Sequence, residues 1–207
     1  MIAIVDYKAG NLTSVQLACR ALGCEAVVTS DPQQILSAER VIFPGVGAAG
    51  AAMKHLTSMK LVQVLHDVAS RGTPFMGICL GTQILLEFSE EDGGTPTLGL
   101  LPGRVPRFHP QDRRDKVPQI GWNQVRKVRN HPLLVGIDDD SEFYFVHSYY
   151  PSPATPELTI GTTDYAGITF TSMLGRANVV ATQFHPEKSG RIGLKLLNNF
   201  LTWNPSR

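Results

Sequence analysis

Cysteine is scarce in this chain: Cys19, Cys24 and Cys79 are three among 207 residues. Three irregularly spaced cysteines leave one thiol unpaired under any scheme, which excludes a disulfide framework and points to a reducing compartment. Charge is sparse as well, at 18% Asp, Glu, Lys and Arg, and the net charge of +1 supplies no general pull toward nucleic acid or an anionic membrane. No apolar run approaches the roughly 18 residues that suggest a membrane span. The start lacks the basic segment and small-residue cleavage site of a secretory signal, and residues 2–6 read instead as a first core strand. A soluble, cytoplasmic protein is expected. With 43% hydrophobic residues the chain is not of the disordered class, and its length suits one domain over residues 1–207. One stretch is locally basic (Arg104, Arg107, Arg113, Arg114 and Lys116 against Asp112 and Asp115) and reads as a solvated loop.

What is present is an alternation of strands and helices. After the first strand, Asn11 is placed to cap a helix whose Leu12, Val15, Cys19 and Leu22 lie along one face. Gly23 stops it, residues 25–29 form the next strand, and Asp31-Pro32 opens a short helix. Residues 40–43 are a strand running into Pro44-Gly45-Val46-Gly47; a helix near Leu61–Ser70 and a strand over 74–78 follow. This spacing predicts an α/β fold with a mostly parallel central sheet and helices on both faces. Further on, 158–163, 168–174 and 179–184 are β-rich runs split by turn-like separators, so antiparallel strands are expected in the C-terminal half. The Pro-rich piece 151–156 reads as a loop. A closing helix carries Ile192, Leu196 and Phe200 on its buried stripe.

The sharpest chemical signal is Gly77-Ile78-Cys79-Leu80-Gly81, where an apolar strand turns into a helix containing Ile84, Leu85, Leu86 and Phe88. This is the pattern of a nucleophile elbow, in which small residues on either side permit a tight, strained turn. The helix N-terminus favours thiolate at Cys79, and the Leu80 N–H is free to face an oxyanion. The other reading of Cys79, a small buried hydrophobe, is disfavoured by the glycine on both sides. A nucleophile needs a base and a group to orient it. His185-Pro186-Glu187 at the end of the last strand offers both, since residues two apart in an extended chain face the same way. Nothing supplies the ligand spacing of a metal site. Pro44-Gly45-Val46-Gly47 lacks the Lys-Ser/Thr of a phosphate loop; it reads either as an oxyanion donor at Val46 or Gly47 or as a plain tight turn. His55, His66, His109 and His131 read as surface or turn residues, and His147 as packed or interfacial.

Together these residues resemble the class I, triad-type glutamine amidotransferases. The likeness covers nearly the whole chain and rests on Asp6-Tyr7-Lys8-Ala9-Gly10-Asn11, the Pro44 to Gly47 loop, Gly77 to Gln83, Val117-Pro118-Gln119-Ile120-Gly121-Trp122-Asn123, Tyr144 to Tyr149 and His185-Pro186-Glu187-Lys188-Ser189. The segments 117–123 and 144–149 resemble the branch that serves histidine biosynthesis. Lys8 and Thr82 stand where such sequences often have glycine and methionine. The resemblance implies a flavodoxin-like fold, Cys79 as nucleophile, His185 as proton shuttle and Glu187 as its orienter. It implies an oxyanion hole from Leu80 with Val46 or Gly47, and glutamine held by Gln83, Ser148, Tyr149 and Glu91. It further implies a synthase (cyclase) partner built as a (β/α)8 barrel, faced by Asn11, Trp122, Asn123 and Lys188, and no cofactor. A stand-alone cysteine hydrolase and a non-enzymatic supporting subunit are the rival readings.

Overall fold

Consecutive apolar residues need cover on both sides of a strand, and four such runs set the centre of the fold. The computed structural model describes residues 1–8, 10–112 and 114–205. Ala9 of the first resemblance segment and Arg113 of the basic stretch lie outside the described residues. The first half alternates: β1 (Ile2–Val5), α1 (Leu12–Ala21), β2 (Ala26–Thr29), α2 (Pro32–Ser37), β3 (Arg40–Gly45), α3 (Ala49–Ser58), α4 (Leu61–Ser70), β4 (Phe75–Cys79) and the single turn α5 (Leu80–Gln83). Three short strands follow, β5 (Phe88–Ser89), β6 (Thr95–Pro96) and β7 (Gly103–Val105). The second half holds β8 (Gln119–Lys127), β9 (Ser141–His147), β10 (Ser152–Pro153), β11 (Thr159–Tyr165), β12 (Ile168–Arg176), β13 (Val179–Thr182) and α6 (Gly190–Thr202).

The main sheet has nine strands in the order β2-β1-β3-β4-β13-β12-β11-β8-β9. Neighbours from β2 to β13 pair in parallel, and neighbours from β13 to β9 pair antiparallel. Every residue of β1, β4 and β13 is buried, as parallel strands covered on both faces require. Side-chain alternation divides the apolar residues between two cores. Ile4, Ile42, Met76 and Ile78 pack with Val15 and Cys19 of α1 and Leu196 and Phe200 of α6. Val5, Phe43 and Phe75 pack on the opposite side with Ile35 of α2, Leu56 of α3 and Leu65 of α4. Each fully buried Phe, Leu or Ile contributes about 1.5–3 kcal/mol of transfer free energy.

Several expectations are corrected. The antiparallel part is larger than the sequence pattern marked, because β8 hides its strand character. It turns Gln119 and Val125 inward while Ile120 and Trp122 stand 64% and 54% exposed, so apolar residues mark its open face. A second sheet, β10-β7-β5-β6, uses Ser152–Pro153 from the piece expected to be loop. The helix after Cys79 does not run through Phe88 but ends after one turn. The Ile84, Leu85 and Leu86 carbonyls instead accept from the N–H groups of Leu98, Leu101 and Gly99, and all three side chains are buried with no polar face left for a helix. So short a helix has little macrodipole to offer the sulfur. Asn11 stands at the N-cap of α1 but makes no side-chain cap bond. Asp31 does cap α2, accepting from the Gln33 N–H at 2.9 Å. In the basic stretch Arg114 pairs with Asp112 at 2.6 Å, and Arg104 lies over the Phe88 ring.

The turn around Cys79 depends on close backbone approach. A Cβ on Gly81 would strike the Phe43 carbonyl oxygen of β3, an atom that cannot step aside. A Cβ on Gly77 would chiefly meet the flexible Leu85 Cδ1 at 2.8 Å. Gly81→Ala is therefore expected to lower stability by roughly 1–3 kcal/mol, the usual cost of overpacking, and by more than Gly77→Ala. Urea midpoints at constant slope measure this; equal midpoints for the two variants would refute it.

Candidate active site

Three parallel strand ends deliver the chemistry to one edge of the sheet. Gly45 of β3 is the register partner of Cys79 in β4, and Thr182 of β13 is the partner of Ile78. The segments that run on from these strands, Pro44 to Gly47, Cys79-Leu80 and Gln183 to His185, therefore emerge side by side, where open α/β sheets place their ligands. Cys79 takes φ 54° and ψ −111°, a conformation that costs a residue with a side chain on the order of 1–3 kcal/mol. The elbow is real and strained.

Cys79 and His185 line the same cleft, of about 260 Å³, together with Val46, Gly47, Leu80 and Gln83. Glu91, Ser148 and Tyr149 complete its far side, and Pro118, Val146 and His147 line it as well. His185 Nδ1 meets Glu187 Oε1 at 2.7 Å, with both side chains almost wholly buried. Their contact arises differently from the extended geometry expected: β13 stops at Thr182, and Glu187 reaches back from a 3-10 turn over Pro186–Lys188. Ser189 fixes that turn by donating to the His185 carbonyl at 2.6 Å and accepting from the Tyr144 N–H of β9 at 3.0 Å. The other ring nitrogen, Nε2, has no hydrogen-bond partner among the described residues and is the one left to address Cys79. Burial would depress the imidazolium, but the interactions of the ring with Cys79 and Glu187 outweigh it and push His185 up to about 10.

The residues expected to hold a substrate are tied into the wall. Gln83 Nε2 donates to the Tyr149 carbonyl at 2.9 Å and to Gln183 Oε1 at 3.0 Å. Glu91 Oε2 accepts from the Ala49 N–H at 2.7 Å, and its carboxyl is raised chiefly by burial. Leu80 opens a helical turn, so its N–H has no intrahelical carbonyl to meet. His147 is pushed down to about 4 by burial; its Nδ1 donates to the Tyr149 carbonyl at 2.7 Å, and Nε2 faces the Gln119 carboxamide. Such a ring is neutral and fixed, which makes it a wall residue and a poor base. Of the residues expected at a partner, Trp122, Asn123 and Lys188 lie outside the cleft, and Asn123 donates to the Asp164 carbonyl. The Asn11 side chain points inward, to Glu187.

Two residues escaped sequence reasoning. Gln183 Nε2 approaches the Cys79 sulfur at 3.8 Å, and the Tyr7 hydroxyl is buried behind Gly45 without a partner among the described residues. Burial and then the charge of Cys79 raise the Tyr7 phenol. Neither side chain announces such a place locally, although Tyr7 lies in the first resemblance segment; the strand order brings both to this edge of the sheet. Among the described residues no group of three His, Cys, Asp or Glu side chains could hold a metal ion, and no helix is long and apolar enough to cross a membrane.

A strained cysteine facing an imidazole that a buried carboxylate holds is the arrangement of a cysteine-dependent acyl-transfer site. The family model for "Glutamine amidotransferase class-I" matches residues 3–203, and this chain belongs to that family. It is 54% identical over 205 residues to "Imidazole glycerol phosphate synthase subunit HisH" of Desulfovibrio desulfuricans, covering 97% of this chain and 93% of that protein. It is 50% identical over 200 residues to the HisH subunit of Dehalococcoides mccartyi, covering 97% and 96%. Among solved structures, a glutamine amidotransferase superposes with TM-score 0.74 at 17% identity over 97% of each chain. PurLQS from Thermotoga maritima does so with TM-score 0.73 at 19% identity over 97% and 96%. At those identities the structures share the fold.

A raised histidine ties stability to pH. Because the folded His185 holds its proton to about 10 against 6.5 for the free group, its contribution is whole below about 6.5 and is lost as pH rises through about 10. Urea midpoints should fall across that window, and less steeply in Glu187→Gln, which lacks the supporting charge. Parallel declines in the two proteins would show that Glu187 does not support the imidazolium.

Proposed function

We propose that this chain is the glutaminase subunit of imidazole glycerol phosphate synthase in histidine biosynthesis, a single type 1 glutamine amidotransferase domain over residues 1–207. The observation that carries the reading is the shared cleft of strained Cys79 and carboxylate-held His185. The near-full-length likeness to proteins named as HisH subunits supports the particular synthase.

The chemistry follows from the geometry. The Cys79 sulfur attacks the side-chain carboxamide carbon of glutamine, its proton resting on His185 Nε2. The oxyanion that forms is met by the Leu80 N–H and by a backbone amide at Val46 or Gly47. His185 then gives its proton to the departing nitrogen, ammonia leaves, and a glutamyl thioester remains on Cys79. Water, deprotonated by His185, attacks the thioester; the proton passes to the sulfur and glutamate departs. Glu187 holds the ring in one tautomer and supports its charge throughout. Gln83, Ser148, Tyr149 and Glu91 line the cleft where the amino-acid end of glutamine would lie.

Ammonia released into water would mostly protonate and cease to be a nucleophile, so the product needs a sheltered path to a second active site. A synthase (cyclase) subunit with a (β/α)8 barrel is the partner, joining ammonia to a nucleotide-derived ribulosyl substrate to give imidazole glycerol phosphate and aminoimidazole carboxamide ribotide. The open face of β8, with Ile120 and Trp122 exposed, supports a partner surface there, together with Asn123, Lys188 and the Asn11 end of α1. The glutaminase would idle until that partner is loaded, and Gly47 at φ 95° lies in the loop best suited to change orientation, Gly45 preceding it. In the complex, Cys79→Ala should abolish glutamine-dependent synthesis and leave synthesis from free ammonia intact. Glutamine-dependent turnover surviving in that variant would overturn the reading.

A further inference from the structure

We propose that Asn11 is a positioning residue of the triad, its carboxamide pinning the Glu187 carboxylate in the rotamer that meets His185. The inference rests on the glutaminase reading above. Asn11 Nδ2 lies 2.5 Å from Glu187 Oε1, the same oxygen that meets His185 Nδ1 at 2.7 Å. Its separation from Nδ1 itself is 3.5 Å. The second carboxylate oxygen, Oε2, is buried and has no hydrogen-bond partner among the described residues. The direction of the carboxylate is therefore set at one oxygen by two donors. If His185 were the only donor, ring and carboxylate could swing as a unit, since each would take its orientation from the other. Asn11 ties the pair to a separate element, the start of α1.

The backbone at Asn11 is shaped for this task rather than for its helix. An asparagine at an N-cap ordinarily accepts an N–H of the first turn and contributes about 1 kcal/mol. Asn11 instead takes the left-handed conformation, φ 74° and ψ 11°, and makes no cap bond. Asparagine tolerates that region better than most residues, and here it turns the side chain toward a residue 176 positions away. The choice of donor also fits. A lysine or arginine at this place would neutralise Glu187 and weaken its support of the imidazolium, whereas an amide orients the carboxylate and leaves its charge intact.

Two substitutions separate positioning from turn-making. Glycine and aspartate both accept the left-handed backbone; Asn11→Gly deletes the donor, and Asn11→Asp keeps the shape while replacing the donor by an acceptor. In the complex with saturating synthase subunit, glutamine-hydrolysis kcat should fall roughly ten- to hundred-fold in both, the scale of a misplaced catalytic group. KM for glutamine and synthesis from free ammonia should stay near wild type. Full kcat in both variants would overturn the proposal, leaving Asn11 a turn residue. A loss that reverses as synthase is added would also overturn it, because Asn11 would then act through the interface. The His185 Nδ1 proton resonance, held downfield by a short bond to carboxylate, should move upfield or broaden in Asn11→Gly, and an unchanged resonance overturns the proposal by itself. That signal judges the placement even if wild-type protein hydrolyses no glutamine, the result by which the glutaminase reading alone would fail.

Discussion

The parallel pairing of β4 with β13 carries more of this protein's function than any single side chain. Cys79 and His185 are more than 100 positions apart in the chain, and the Ile78–Thr182 register makes them neighbours at one sheet edge. With β3 on the other side of β4, the same edge receives Gly45 and the loop after it. A sulfur, an imidazole and a set of backbone amides thus arrive together without any long loop to order, which limits the conformational entropy of holding them in one place. The strand order is in turn fixed by burial, because residues that are apolar on both faces belong nowhere but the centre.

The antiparallel extension completes what the parallel half begins. β9 passes beside the turn that holds Glu187, and the Tyr144 carbonyl accepts the His185 N–H at 2.9 Å. Ser148 and Tyr149, which leave the end of β9, form the far wall of the cleft. At Tyr144 the free edge of β9 is thereby taken up by that turn, where an open edge would invite pairing. The small second sheet has a comparable part: it bears Glu91 toward the first N–H of α3, tying the wall of the cleft to the helix behind the Pro44 to Gly47 loop.

What could be read from the sequence was what is local. Glycine at both sides of Cys79 marks the elbow, because a tight turn and the close passage of β3 exclude a Cβ at Gly81. His185 and Glu187, two residues apart, announced a pair, although a 3-10 turn rather than strand alternation joins them. Nonlocal features were silent. β8 shows no strand pattern in the sequence, because Ile120 and Trp122 face outward while Gln119 turns inward. The helix after Cys79 read as long because Ile84 to Leu86 are apolar, yet they are buried on all sides and their carbonyls are taken by the loop from Leu98 to Leu101. The contacts of Gln183 with the sulfur and of Asn11 with Glu187 span 104 and 176 positions, and no period or motif could announce them.

Gln83 shows how hydrogen-bond polarity can act as a filter. Both hydrogens of its amide are spoken for, one by the Tyr149 carbonyl and one by the Gln183 oxygen, so the group cannot rotate by half a turn without losing both bonds. Among the described residues only its own oxygen remains uncommitted. A ligand that reached it would have to bring a hydrogen: an ammonium or carboxamide nitrogen could bond there, whereas a carboxylate pressed against the same atom would set lone pairs against lone pairs.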